Sequence, residues 1–344
     1  MTNNGFPYNM MNIRAIYEKR SLRNTSNMIG LAFIVSLLMQ IAAMIIAYVV
    51  IAIIYNIVVP ESLSEYYFML TFMDSIEWQL MLQFFLSILT FTVPFLIVPC
   101  GTGTSTAEIV KLKKVSPLLF ILLVFMVMGL SAVGNGVSNG LDFLWNSIFG
   151  REMQTASFEM PENIFMKIFY VITVSIVPAL VEEFALRGIV LGSLRRYGNM
   201  FAVVTSAFLF GLMHGNIPQF VFAFILGIGL GLCVIVSDSV WPAIAAHFLN
   251  NFMSIVLDDI IGPKLTDNEY IMMFIIYMAA VLVIGIVAFI IIMKKYRKPI
   301  HEKPDTVLSR GQRTEAFIVS PSMIILLIIY IAQFILLETG VLSY

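Results

Sequence analysis

The chain is expected to be an all-α protein, a polytopic transmembrane helical bundle of about eight to nine spans, on three observations. Its 344 residues are 60% hydrophobic and 12% charged, with a mean hydropathy of +0.93, whereas ordinary soluble domains are roughly 45–50% apolar and about 25% charged. Unbroken apolar runs approach the roughly 20 residues with which a helix crosses hydrocarbon, unlike the short alternating segments of a membrane barrel. The loops between those runs alternate in charge, as the positive-inside rule requires of a multi-span chain.

In chain order, residues 1–27 hold Arg14, Lys19, Arg20 and Arg23 and read as a basic cytoplasmic leader. The run from Met28 to Val59 is too long for a signal-peptide core and lacks a convincing cleavage site, so it is expected to be a retained span. Further apolar runs fall near 79–100, 117–134, 164–186, 200–214, 219–236, 241–257, 271–293 and 317–337. Glu61, Glu65, Asp74 and Glu77 mark an outer loop; Lys111, Lys113 and Lys114 mark an inner one. Residues 134–163 return outside, Arg187, Arg195 and Arg196 inside, and Asp258, Asp259, Asp267 and Glu269 outside. The loop 294–315, rich in Lys and Arg, is then cytoplasmic, as is the N-terminus.

Several function classes drop out. No Lys/Arg patch interleaved with aromatics suggests nucleic acid. The two cysteines, Cys100 and Cys233, lie far apart in apolar sequence, which argues against a disulfide framework and a cysteine metal site. Gly227, Gly229 and Gly231 form a GxGxG inside a span, where close helix packing is the better reading than nucleotide binding. His301, in the basic loop, reads as a solvated residue.

Three polar clusters interrupt the apolar sequence: VEEFALRG at 181–188, FGLMHGN at 210–216 and WPAIAAHFLNN at 241–251. Ionisable groups in a span cost about 3 kcal/mol on insertion scales, so these carry a functional expectation. Glu183 and Arg187 stand at i,i+4 and can pair as a structural ion pair, while Glu182 lies about 140° round the helix from Arg187 and lacks that partner. A carboxylate in a dry site without a counter-ion is a usable general base near neutral pH; an ionic lock between helices is the plainer alternative. Phe210 and His214 share a face, as do His247 and Asn251, whose amide and imidazole can offer donors to an oxyanion. A base, a second proton-handling group and a donor pair make an inventory for amide hydrolysis, and no GxSxG or HExxH competes with it.

EExxxR at Glu182 to Arg187, FxxxH at Phe210 to His214 and HxxxN at His247 to Asn251, in that order and with the SxWPAIxxHxxN lead-in, resemble the CPBP family of intramembrane proteases. This is the CAAX-protease and bacteriocin-processing (Abi) family, and the resemblance covers roughly 160–255. It implies a catalytic core at 161–258, between N-terminal helices at 28–160 and C-terminal helices at 259–344, with Glu182 and His214 activating water and His247 and Asn251 stabilising the oxyanion. It also implies membrane-associated peptides or proteins as substrates and the bilayer as surroundings.

Two chemistries stay open: a metal-free glutamate protease, which is favoured, or a zinc enzyme held by Glu182, His214 and His247. Residue usage suggests a bacterial cell membrane, where peptide maturation or bacteriocin immunity would be the setting. A non-enzymatic immunity or binding protein and a proton-coupled transporter are the rivals. Counting along the helices places Glu182 and His247 about 10 Å from the inner face, and His214 about 20 Å in if its span starts at Met200.

Overall fold

A computed structural model describes residues 6–58, 71–153, 159–300, 302–339 and 341, and all regular elements among them are helical. Glu61, Glu65 and His301 lie outside the described residues. Among the described residues, eight helices are long and apolar enough to cross a membrane. They are α1 (Phe6–Val58), α2 (Ile76–Thr102), α3 (Pro117–Phe149), α4 (Ile164–Tyr197), α6 (Ile217–Ser237), α7 (Trp241–Lys264), α8 (Asp267–Lys295) and α10 (Pro321–Glu338). Between them lie α5 (Asn199–Leu212) and α9 (Arg310–Ile318). The chain is an integral multi-pass membrane protein.

Two departures from the sequence reading have simple causes. Residues 6–27 are helical and continue into the first span, because neither Gly nor Pro occurs between Tyr8 and Ile29 to stop the helix. The run expected at 200–214 forms a helix of only 14 residues, about 21 Å long and short of a roughly 30 Å hydrocarbon core.

Small residues allow the closest crossings. A Cβ on Gly285 would fall 2.5 Å from the Gly129 Cα, so α3 and α8 meet backbone to backbone there. The three GxGxG glycines are packing residues: added Cβ atoms would press on Ala207, Leu130 and Val203. Facing outward are Ile41, Ile45 and Ile53 of α1 and Ile275, Ile276 and Val283 of α8, an apolar surface suited to lipid.

Charged loops gather at one end of the bundle. Arg14 pairs with Asp305 at 2.7 Å, Lys19 with Glu315 at 2.8 Å, and Arg195 and Lys113 with Asp238 at 2.7 and 3.2 Å. Arg313 donates to the Tyr197 carbonyl. The basic segments at 14–23, 111–114, 195–196 and 294–313 therefore share one face.

Candidate active site

Pro178 sets the local winding of α4 one turn before its two carboxylates, Glu182 and Glu183. Proline has no N–H, so the Val174 carbonyl has no α-helical donor, and the ring crowds the preceding turn. The helix responds with a π turn over Ile172–Ile176, closed by Val177 N–H to the Ile172 carbonyl. A second π turn follows at Phe184–Val190. Glu182 and Glu183 end the α-helical segment Val177–Glu183 between the two.

Glu183 is the centre of the polar cluster. Its Oε1 accepts from Arg187 Nη1 at 2.8 Å, with both side chains fully buried, and from His247 Nδ1 at 2.9 Å. Arg187 Nη2 reaches the Gly227 carbonyl of α6 at 3.4 Å, and its Cζ stands 4.2 Å from the centroid of the Phe210 ring. Such a desolvated cation–π contact adds to the hydrogen bonds in holding the guanidinium without water. Glu183 Oε2 and Arg187 Nε are buried without hydrogen-bond partners.

Because Nδ1 of His247 donates to Glu183, Nε2 points the other way and lies 4.0 Å from Glu182 Oε2. That gap exceeds a hydrogen bond, yet one water beside the line could bond both atoms. Unlike Glu183, the Glu182 side chain retains 14% exposure.

Phe210 separates and aligns the two histidines. Its ring meets His214 edge-on at 5.1 Å and His247 edge-on at 5.6 Å, arrangements favoured by the ring quadrupole. His214 lies just past the end of α5, with Nδ1 donating to the Phe210 carbonyl at 2.8 Å. That bond leaves Nε2 as its acceptor. Asn251, one turn beyond His247 on α7, donates through Nδ2 to the Val174 carbonyl at 3.3 Å and accepts at Oδ1 from Asn250 at 3.1 Å.

Helix α4 continues past Arg187 to Tyr197. Glu182 lies 15 residues before Tyr197 and His214 lies 15 residues after Asn199, at the same charged end. Equal spacing puts them at similar depth. Sequence reasoning missed the grip of Glu183 on His247, a contact between helices for which i,i+4 spacing has no signal. It also missed Asn250, although the adjacent Asn250–Asn251 pair is an unusual feature of an apolar helix.

For the zinc alternative, His247 and His214 each bond through Nδ1 and keep Nε2 free, as metal-ligating histidines do, while among the described residues no group of three His, Cys, Asp or Glu is placed to hold a metal ion.

Residues 164–253 match the family model described as type II CAAX prenyl endopeptidase Rce1-like. The match runs from the start of α4 into α7, includes all three polar clusters, and agrees with the CAAX-protease resemblance of the sequence motifs. It leaves α1–α3 and α8–α10 outside. No curated protein and no solved structure matches the chain.

Proposed function

We propose that the protein is an intramembrane endopeptidase that hydrolyses peptide bonds of membrane-associated peptides or proteins, prenylated CAAX-type chains among them, with a metal-free glutamate base. The observation that carries this reading is the placement of Glu182 Oε2 opposite His247 Nε2 at 4.0 Å, beside the fully buried Glu183–Arg187 pair.

Glu182 takes a proton from a water lodged between it and the histidines, and the hydroxide attacks the scissile carbonyl carbon. His214, its Nε2 lone pair free, accepts a hydrogen bond from the same water. The carbonyl oxygen becomes an oxyanion and receives donors from Asn251 and, when its ring carries a proton on both nitrogens, from His247, which Glu183 orients through Nδ1. Collapse of the tetrahedral species breaks the C–N bond. The proton held by Glu182 passes to the leaving amine, so one water and one amide become an acid and an amine. Arg187 holds Glu183 in place and does not touch the reacting atoms.

The basic end of the bundle is the cytoplasmic end on the positive-inside rule, with the N-terminus inside. A bacterial cell membrane and a role in peptide maturation or bacteriocin immunity fit the residue usage.

In proteoliposomes, wild-type protein is expected to cleave fluorogenic peptides from a panel that includes prenylated CAAX sequences. Glu182→Gln should slow cleavage by about 10²–10⁴ with the fold retained. Equal rates for the two proteins, or no cleavage by either, would overturn the protease reading in favour of a binder or transporter. Activity should survive a strong chelator; loss that is restored by zinc would overturn the metal-free form.

A further inference from the structure

A continuous polar chain crosses the bundle beside the site and ends on the proline-freed carbonyl. Ser131 Oγ of α3, buried at 5% exposure, donates to Asn250 Oδ1 at 2.5 Å. Asn250 Nδ2 donates to Asn251 Oδ1 at 3.1 Å, and Asn251 Nδ2 donates to the Val174 carbonyl at 3.3 Å. Asn135, one turn along α3, donates to the Ser131 carbonyl at 3.0 Å.

The polarity of this chain matters because an asparagine side chain has one oxygen acceptor and one two-hydrogen donor. The Val174 carbonyl can only accept, and Pro178 supplies it no hydrogen, so it selects the NH₂ of Asn251 and turns Asn251 Oδ1 toward Asn250. Asn250 must then meet that oxygen with its NH₂, which leaves its Oδ1 facing Ser131, whose hydroxyl can donate or accept and here donates. The second hydrogen of the Asn251 NH₂ remains for another acceptor.

We propose that the Pro178-freed carbonyl of Val174 and the Asn250 amide, itself held by Ser131, are positioning elements that fix the flip state of the Asn251 amide, so that an N–H rather than an oxygen meets the developing oxyanion. The inference rests on the endopeptidase reading above and extends it to α3, a helix outside the family match. A reversed amide would set an oxygen against the oxyanion, which repels it. The device acts on the transition state more than on substrate binding.

The test uses full-length protein in detergent and in proteoliposomes, with a cleaved peptide from the panel as probe. Asn250→Asp keeps the shape but cannot donate to Asn251. It should lower kcat at least tenfold with KM within twofold, and should cost nothing further when Asn251 is already alanine. Pro178→Ala restores an N–H that competes for Val174. It should lower kcat in the same way without lowering the melting temperature, so a folding defect cannot imitate the result. Wild-type kcat in Asn250→Asp and Pro178→Ala, or multiplying losses in the double variant, would overturn the proposal while the protease reading stands. If wild-type protein cleaves nothing, the protease reading fails and the catalytic assignment of this chain fails with it; the melting temperatures still report the network. Non-additive shifts for Asn250→Asp and Asn251→Ala show the chain is coupled, and additive shifts overturn the coupling itself.

Discussion

The protein uses the same pairing, a guanidinium on a carboxylate, in two surroundings. Arg187 and Glu183 meet at 2.8 Å with both side chains wholly inaccessible, whereas Arg195 and Asp238 meet at 2.7 Å with exposures of 22% and 33%. Distance hardly differs between them. Water does. At the charged end, either partner can be rehydrated if the other is lost, and such pairs contribute little. In the bundle core, removal of one partner strands an ion that nothing else solvates, while the intact pair has itself lost its hydration. A buried pair is therefore weak evidence of stabilisation and better evidence that the position requires a fixed charge. His247 supplies the reason, since it shares the Glu183 oxygen that Arg187 holds in place.

That difference can be broken or sharpened by substitution, and the largest effect belongs to the core. Arg187→Ala should destabilise the protein by about 3–5 kcal/mol, read by thermal unfolding in detergent, and abolish cleavage. The double variant Glu183→Met with Arg187→Met separates stability from positioning. Apolar groups of similar volume often match or exceed a buried pair in stability, so much of the loss should return while cleavage stays absent, because His247 has no acceptor at Nδ1. Recovery of cleavage in the double variant would mean that Glu183 serves the fold alone.

Apolar runs of span length were legible in the sequence because a helix in lipid satisfies every backbone group within itself, and its composition shows that directly. The i,i+4 relations were legible for the same reason: Glu183 with Arg187 and Phe210 with His214 depend on one helix each. What faces what across helices was not. The contact of His247 with Glu183 and that of Ser131 with Asn250 span 64 and 119 residues of sequence, and no periodicity within either helix encodes the partner. The shortness of α5 escaped for a further reason, since Met213 and His214 extend its apolar pattern after the backbone has left the helix. The π turn at Ile172–Ile176 had a signal in Pro178, but its consequence, a carbonyl open to Asn251, required the neighbouring helix.

The charged end should respond modestly, and with a pH dependence of known sign. Burial alone would raise the Asp238 carboxyl, but hydrogen bonds from Arg195 and Lys113 outweigh it and hold the group below the ordinary carboxylate range. A group depressed in the folded state contributes stability above its unfolded value, near about 3.9, and loses that contribution as the pH falls through the folded value. Asp238→Asn, which keeps a residue tolerant of the left-handed backbone found there at φ 53°, should cost about 1 kcal/mol at neutral pH. Unfolding curves of variant and wild type should converge as the solution is acidified below the ordinary carboxylate range. A constant difference would show that the turn, and not the charge, needs the aspartate.

The smallest effect belongs to Lys19 and Glu315, paired at 2.8 Å with exposures of 31% and 51%. The carboxyl of Glu315 is held below its ordinary value mainly by the hydrogen bond from Lys19, yet water competes for both partners throughout, and high salt screens what attraction remains. Lys19→Ala should leave the melting temperature and cleavage unchanged at physiological ionic strength. A loss comparable with that of Asp238→Asn would mean that α1 and α9 are clamped together by charge and that this end of the bundle obeys the rules of the core. With no loss, the contrast stands on solvent access alone: two carboxylates with similar bond lengths, one dispensable and one without which His247 cannot be aimed.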